Sequence, residues 1–396
     1  MRILSLCNIS NIDDIEADSG IIYQRVIGKA LTDMGHEYHV VLPRLLRNIE
    51  RCFYSLSVHY AEIGTDRYSS RFGFDWSSIT RIIIKTMPDV VFVNQIENAA
   101  AVRATLTTIQ RSDIAVITYC HYPPFQDPNA SNVDKSLDHD NLGRPILLLV
   151  AAALHTSDAV VTQSRYAASI LYAASAAVGS KYKAHIYIVP PPVDPEVCPH
   201  TSDDRIPASR NILYNHRLYE SYGTEHFIKY LESRAGCPIN VVIADPMANR
   251  SAHRNRLSGS PAILKKRLSC LPFVTVVNGS SSRQGYRSVL KSCGIAFAPR
   301  RIGCVWSMAA VDCLSWGMPV LAPRIAAYPE FIPETTLFDD WVEADRILSR
   351  LLESKNAYQD ASVEARSSVD RLSPNHIASE LVHIFSREIR RRQCAV

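Results

Sequence analysis

The stretch that decides the fold reads APRRIGCVWSMAAVDCLSWGMPVLAP and covers residues 298–323. It passes from an apolar run through a polar loop to apolar residues at helical spacing, and then through Gly317 into a second apolar run. Ser307 is a typical helix N-cap, and Gly317 is typical of the position just after a helix, where φ is positive. The stretch therefore predicts a strand, a loop, a short helix, a tight turn and a second strand.

The same alternation of short apolar runs and helical periodicities extends over most of the chain. Strands rich in Val and Ile that are separated by helices predict parallel sheets covered on both faces. The predicted strands are 3–7, 38–42, 90–93, 114–119, 159–162, 186–189, 212–215, 239–244, 274–277, 295–298 and 319–321. Predicted helices of the first half are 20–34, 76–86, 99–109, 145–155 and 165–176.

The pattern breaks once, at the prolines of residues 190–195, and 396 residues are long for one domain. We therefore predict an α/β fold of two facing, doubly wound, Rossmann-like domains. The first covers residues 1–190, a proline-rich linker covers 191–209, and the second domain covers 210–372. An amphipathic C-terminal helix is expected within 373–396. Ligands of such sheets bind beyond the carboxyl ends of the strands, so the loops there are the candidate site.

Composition excludes several classes of protein. Hydrophobic residues make up 47% and charged residues 21% of the chain, which is typical of a globular protein. The ten cysteines are scattered without Cys-x-x-Cys pairs, which argues against a disulfide scaffold or a zinc ribbon. The longest apolar run, 146–154, is too short to span a membrane, and the start of the chain has no signal-peptide core. A cytoplasmic location is expected.

The basic character of the chain is weak evidence for a nucleic-acid partner. The formal net charge is only +4, which permits an anionic ligand without indicating one. Arg390, Arg391 and Arg392 end the predicted C-terminal helix, where cations favour the helix dipole. A cap on a solvated face is favoured over a binding patch.

The stretch 298–323, followed by Tyr328-Pro329-Glu330, resembles the donor-binding segment of retaining GT-B glycosyltransferases of the sucrose-synthase and glycogen-synthase-like group. The resemblance places Asp312 on the carboxylate that holds the nucleotide ribose; without it, Asp312 is as well explained as an exposed helix carboxylate. Cys304 stands where the family has a sugar-binding Glu, and Trp306-Ser307 replace Phe-Gly. Arg300 and Arg301 lie just upstream, near a helix start suited to phosphate.

A second element, residues 211–228, resembles the first strand and loop of the family's C-terminal domain. Arg217 falls on the arginine that clamps the donor diphosphate, and guanidinium binds phosphate bidentately. A surface ion pair is the alternative for Arg217. Tyr222-Gly223 replaces the family's Lys-Gly, and Pro191-Pro192 replaces Asn-Gly in the interdomain signature, so this chain is a divergent member.

The first half offers further candidates. Ser19-Gly20 resembles the family's small-residue loop at the donor, with Asp18 as an N-cap, although a purely structural turn is as well supported. His121 falls on the family's strand-end His over the donor sugar; the alternative is an ordinary loop residue. Acceptor-side candidates are Asn94, Glu97, Asp138 and Asp140. No metal site is expected, because adjacent residues such as those at 138–140 seldom converge on one ion.

The resemblance implies transfer of a sugar from a nucleoside-diphosphate donor to a hydroxyl acceptor. The donor, a UDP- or GDP-sugar, is the sole cofactor-like ligand that it implies. Retention, metal independence and catalytic roles for Arg217 and His121 come from the resemblance alone. The acceptor is a small molecule, a glycan or modified DNA. Residues 19–25 also resemble stretches of phage-type glycosyltransferases, some of which act on hydroxymethylated DNA bases. A further alternative is a degenerate protein that binds nucleotide or glycan without turnover. Oligomeric state is left open.

Overall fold

The computed structural model describes residues 1–7, 9, 15, 18–53, 56–65, 69–72, 74–121, 123, 141–179, 181, 183–199, 211–234, 239–245, 260–277 and 282–394. The chain divides into two compact units. Unit 1 comprises Met1–Pro192 and Pro374–Val396, and unit 2 comprises Val193–Ser373.

Unit 1 is built on a seven-stranded sheet in the order β3-β2-β1-β4-β5-β6-β7, and every neighbouring pair is parallel. The four residues of β4 are buried, as expected for strands covered by helices on both faces. The strands are β1 (Arg2–Leu6), β2 (Glu37–Pro43), β3 (Ser57–Ala61), β4 (Val90–Val93), β5 (Ala115–Tyr119), β6 (Ala159–Thr162) and β7 (His185–Ile188).

Unit 1 also contains the helices α1 (Ser19–Asp33), α2 (Ser69–Phe72), α3 (Trp76–Thr86), α4 (Ala99–Thr108), α5 (Gly143–Thr156) and α6 (Arg165–Ala177). Helices α1, α3 and α6 begin at side chains that accept hydrogen bonds from the first free N–H groups, namely Asp18, Asp75 and Ser164.

Unit 2 has a six-stranded parallel sheet in the order β10-β9-β8-β11-β12-β13. Its strands are β8 (Ile212–Tyr214), β9 (Val241–Ala244), β10 (Val274–Val277), β11 (Ile295–Phe297), β12 (Val320–Pro323) and β13 (Leu337–Phe338). Its helices are α7 (Thr224–Ser233), α8 (Ser260–Ser269), α9 (Arg283–Lys291), α10 (Met308–Ser315), α11 (Trp341–Glu353) and α12 (Lys355–Val369). Short 3-10 turns occur in both units, for example at Arg44–Phe53 and Glu220–Tyr222.

The last helix, α13 (Pro374–Gln393), belongs to unit 1, although it follows unit 2 in the chain. Its Phe385 packs edge-on against Phe92 of β4, with ring centroids 5.2 Å apart. Its end is anchored by Arg392, whose Nε donates to the carbonyl of Ser112 at 2.6 Å. At least one arginine of the terminal basic cluster therefore holds the helix to the unit.

The predicted strands are confirmed to within two residues at most ends, and three of them, β4, β6 and β10, have the predicted bounds. Two strands were missed. β3 is a half-buried edge strand with a weak alternation, and β13 has only two residues, so neither produces an apolar run. The predicted caps Asp18 and Ser307 and the positive φ of Gly317 (68°) are confirmed.

Candidate functional site

The order of strands in unit 2 reverses between β8 and β11, which is where open α/β sheets bind ligands. The loop after β8 carries Arg217, and the loop after β11 carries Arg300 and Arg301. The two loops touch. A Cβ on Gly223 would lie 2.7 Å from the carbonyl oxygen of Arg300, and the φ of Gly223 is +69°. Only glycine permits both this approach and this backbone conformation.

Arg301 is held by an aromatic side chain at the same place. Its guanidinium carbon lies 4.5 Å from the ring centroid of Tyr222, a cation–π contact that orients the charge. Arg301 also acts on His216, the residue after Asn215 at the end of β8. Burial, reinforced by the charge of Arg301, lowers the pKa of His216 to about 3. His216 is therefore neutral at physiological pH, and its Nε2 has no hydrogen-bond partner among the described residues.

Helix α10 starts beside this loop. Ser307 Oγ accepts from the N–H of Ala310 at 3.2 Å and so caps the helix. The first N–H groups of a helix have no intrahelical acceptors, so a helix start of this kind suits a phosphate. Trp306, just before the cap, packs on Phe331 with ring centroids 4.4 Å apart. Its indole N–H is buried and unpartnered within the described part of the chain.

Cys304 lies in the interior of the same loop. It is almost fully buried, and burial raises the pKa of its thiol, which keeps it protonated. Its Sγ donates to the carbonyl of Trp306 at 3.5 Å, and its carbonyl accepts from the N–H of Ala327 at 3.0 Å. The structure therefore gives Cys304 a role in folding the loop around Trp306.

Asp312 lies on α10 in a buried polar cluster. Burial raises the pKa of its carboxyl from 3.8 to about 7; Asp194 adds to the rise, whereas Arg283 and the hydroxyl of Tyr286 oppose it. Arg283 forms an ion pair with Asp194, which is fully buried. One oxygen of Asp312, Oδ1, has no partner among the described residues. Asp312 is thus not the exposed helix carboxylate of the alternative interpretation.

The candidates of unit 1 converge at the carboxyl ends of β1, β4 and β5, which are neighbours in the sheet. Ser19 Oγ lies 2.8 Å from Nε2 of His121, so the start of α1 and the end of β5 meet. A Cβ on Gly20 would contact the Asn94 side chain at 3.6 Å. Burial lowers the pKa of His121, although the charge of Asp18 opposes this. His121 is therefore suited to act as a neutral hydrogen-bonding group.

Of the other acceptor-side candidates, the structure describes only Glu97. Glu97 is buried in an ion pair with Arg71, so its carboxylate is already engaged. Asp138 and Asp140 lie outside the described residues. Within the described ranges, no three His, Cys, Asp or Glu side chains form a group that could hold a metal ion. Nor does any helix of the described part have the length and apolar character to cross a membrane.

Several residues of the site were missed by sequence reasoning. Arg283 and Tyr286 lie on α9, 26 or more residues before Asp312, and Asp194 comes from the linker motif. No local pattern connects them, since only the fold brings α9 beside α10. His216 could have been named as a candidate from the sequence, because it directly precedes Arg217 at a strand end.

Comparisons with known proteins agree with this architecture. Residues 23–197 match the family model Glycosyltransferase Family 4. No curated protein matches the sequence significantly.

Among solved structures, sucrose-phosphate synthase from Thermosynechococcus elongatus is similar over 98% of both chains, with a TM-score of 0.72 at 15% identity. HepE from Anabaena, solved with UDP-glucose, has a TM-score of 0.67 at 12% identity, over 98% of this chain and 100% of that one. A UDP-forming trehalose-phosphate synthase from Burkholderia xenovorans has a TM-score of 0.64 at 11% identity, over 97% of this chain and 98% of that one. The chain therefore has the two-domain GT-B fold, with a glycosyltransferase family 4 match within its first half.

Proposed function

We propose that the protein is a glycosyltransferase that moves a sugar from a nucleoside-diphosphate donor to a hydroxyl acceptor, with unit 2 binding the donor. The observation that carries the proposal is a set of buried polar atoms at one sheet edge that have no hydrogen-bond partner among the described residues. His216 Nε2, Trp306 Nε1 and Asp312 Oδ1 all belong to elements around the β8–β11 switch point. Buried polar groups are nearly always hydrogen-bonded in native proteins, so a ligand that supplies the missing partners is indicated.

The charges at this edge select an anionic ligand. Arg217 and Arg301 sit on the two loops that meet at Gly223, and the start of α10 adds its dipole. A diphosphate matches this arrangement, since guanidinium groups bind phosphate oxygens bidentately. UDP and UDP-glucose bound to HepE, a protein of the same fold, support a nucleotide-sugar donor.

In the proposed reaction the bond between the sugar C1 and the leaving phosphate oxygen breaks, and a bond from C1 to the acceptor oxygen forms on the same face. The acceptor proton passes to the leaving diphosphate. Arg217, Arg301 and the start of α10 stabilise the charge that grows on the diphosphate in the transition state. Retention and metal independence are part of the proposal.

Unit 1 supplies the remaining parts in this proposal. In unit 1, His121, held by Ser19 Oγ, would act as a neutral hydrogen-bonding group toward a sugar hydroxyl. Asn94 lies beside Gly20 at the same edge and would face the acceptor. A base in hydroxymethylated DNA remains the alternative acceptor, which transfer assays on such DNA would test directly.

The test is differential thermal stability with UDP, GDP and ADP, followed by incubation with the matching nucleotide sugars. A ligand that binds only the folded state raises the melting temperature. We expect one diphosphate to stabilise the wild type and Arg217→Ala to lose that effect. Arg267→Ala is the matched control, because Arg267 pairs with Glu225 and Glu232, away from the loops that carry Arg217 and Arg301.

Each result decides between the functions. No shift with any nucleotide would refute the donor site. A shift without donor hydrolysis or transfer to any acceptor would instead identify a binding protein without turnover.

A further inference from the structure

Two buried side-chain atoms of unit 2 lack hydrogen-bond partners among the described residues, and one is an acceptor whereas the other is a donor. Oδ1 of Asp312 is a hydrogen-bond acceptor, and Nε of Arg283 is a donor. Neither has a partner among the described residues. A buried polar group left unpaired is costly, so two of them in one cluster indicate something that satisfies both.

Arg283 and Asp312 share neighbours in one buried cluster: Asp194 pairs with Arg283 and acts on Asp312, and Tyr286 lies beside Arg283 and hydrogen-bonds Asp312. Burial alone would lower the pKa of Arg283, yet the pKa is raised, because Asp312 and then Asp194 stabilise the guanidinium. Asp194 is in direct contact, through Nη2. Asp312 acts on Arg283 electrostatically without an ion pair between them in the described structure.

The surrounding contacts fix both groups in place. The guanidinium of Arg283 lies 5.5 Å from the ring centroid of Tyr286, one turn further along α9. The hydroxyl of Tyr286 accepts from Nδ2 of Asn215 at 2.7 Å. Nδ2 of Asn215 also donates to the carbonyl of Ala309 at 3.0 Å, three residues before Asp312 on α10. Helices α9 and α10 are thus joined through Asn215, which directly follows β8.

We propose that Arg283 is a second ribose-binding residue: its Nε–H donates to a ribose hydroxyl of the nucleotide donor, and that hydroxyl donates to Oδ1 of Asp312. A hydroxyl is both donor and acceptor, so one group satisfies both buried atoms. Asp194 balances the charge of Arg283 through Nη2, which leaves Nε available to the ligand. The inference rests on the proposed function and adds a specificity, the preference for ribose over deoxyribose.

The test compares UDP, GDP and ADP with their 2′,3′-dideoxy analogues by calorimetric titration of the full chain. Wild type should bind the ribose form of its nucleotide on the order of tenfold more tightly or better, the effect of one or two buried hydrogen bonds. Arg283→Met should bind both forms with nearly equal affinity. Adding Asp312→Ala to Arg283→Met should reduce the preference no further, because both residues hold the same hydroxyl.

Two variants separate a binding role from a structural one. Arg283→Lys keeps a cation for Asp194, but lysine has a methylene carbon where arginine has Nε, so it offers no donor at that position. We expect it too to lose the preference. Arg287→Met, one turn along on α9 where Arg287 lies over Trp316, should keep it.

The inference is overturned if Arg283→Met or Arg283→Lys retains the full ribose preference, which would leave a bridging water as the occupant. If wild type binds no nucleoside diphosphate at all, the proposed function itself fails. The two failures are therefore distinguishable.

Discussion

Replacing Asp312 by Asn should stabilise the ligand-free protein at pH 8, although it removes a proposed ligand-binding carboxylate. The carboxyl of Asp312 is buried, and its pKa is raised from 3.8 to about 7, mainly by burial. At pH 8 the folded protein must carry this carboxylate ionised in its interior, where Arg283 already has a partner in Asp194. Asn has nearly the same shape and does not ionise, so the variant avoids that cost.

The magnitude follows from proton linkage. Between pH 4 and pH 7 the folded state keeps a proton on Asp312 that the unfolded chain has lost, so wild-type stability falls as the pH rises. A pKa raised from 3.8 to about 7 corresponds to a loss on the order of 4 kcal/mol, at about 1.36 kcal/mol per pKa unit. This contribution is fully present below pH 4 and absent above pH 7. Asp312→Asn should lack this slope, and a gain of about 1–4 kcal/mol at pH 8 is expected.

Tryptophan fluorescence during urea unfolding is the suitable assay. Three of the four tryptophans, Trp306, Trp316 and Trp341, are in unit 2, so the signal reports mainly the unit that contains Asp312. Midpoints are compared at pH 5 and pH 8 without nucleotide, since a midpoint does not require a two-state transition of the whole chain. Asp360→Asn, on an exposed position of α12, is the control and should change neither midpoint.

Two outcomes would refute this reasoning. One is an Asp312→Asn variant that is less stable than wild type at pH 8. The other is a variant with an unchanged difference between pH 5 and pH 8. Asp194→Asn provides a contrast of opposite sign, because it breaks the direct ion pair of Arg283 and should destabilise the protein by about 3 kcal/mol.

Three other predictions concern the loops and unit 1. Gly223→Ala should cost about 1–3 kcal/mol of stability and weaken nucleotide binding, because its φ is +69° and its Cβ would meet a backbone carbonyl; urea midpoints and titrations check this. Arg301→Ala should weaken binding of a nucleoside diphosphate on the order of tenfold, without weakening binding of the nucleoside. Tyr222→Leu should also weaken diphosphate binding, but its effect on stability should be larger than its effect on binding. Equal losses for both ligands would contradict a phosphate role. His121→Ala should lower sugar transfer while diphosphate affinity stays unchanged, and Ser19→Ala should lower it less, since Ser19 acts through His121. A loss of diphosphate affinity in His121→Ala would contradict the assignment of sugar transfer, and not diphosphate binding, to His121.

The order of elements could be predicted from the sequence because its signals are local. Val- and Ile-rich runs bounded by polar loops gave most strands, and a cap such as Ser307 or a glycine such as Gly317 marked helix ends. Each signal depends on a few neighbouring residues and on the geometry of one turn. Edge elements such as β3 lack it, since a half-buried strand has no continuous apolar run.

The candidate site could be predicted only in part. Arg217, Arg301 and Asp312 could be named as candidates because they follow strands or lie on a recognisable helix, and a parallel sheet places such residues at one edge. The surroundings of these three side chains could not be predicted. The sequence could not show that Asp312 is buried or that the guanidinium of Arg301 packs on the ring of Tyr222. Nor could it show that Glu97 forms an ion pair with Arg71.

The remaining features depend on contacts between residues far apart in the chain. Asp194, Arg283 and Asp312 span 118 residues, and α13 returns to unit 1 after the whole of unit 2. Burial and charge at such places are properties of the packed structure, because the cost of an ionised group depends on what surrounds it in space. The sequence by itself determined the two parallel sheets and the strand ends at which to look. Only the tertiary structure decided which side chains meet there and which of their polar atoms remain to be satisfied.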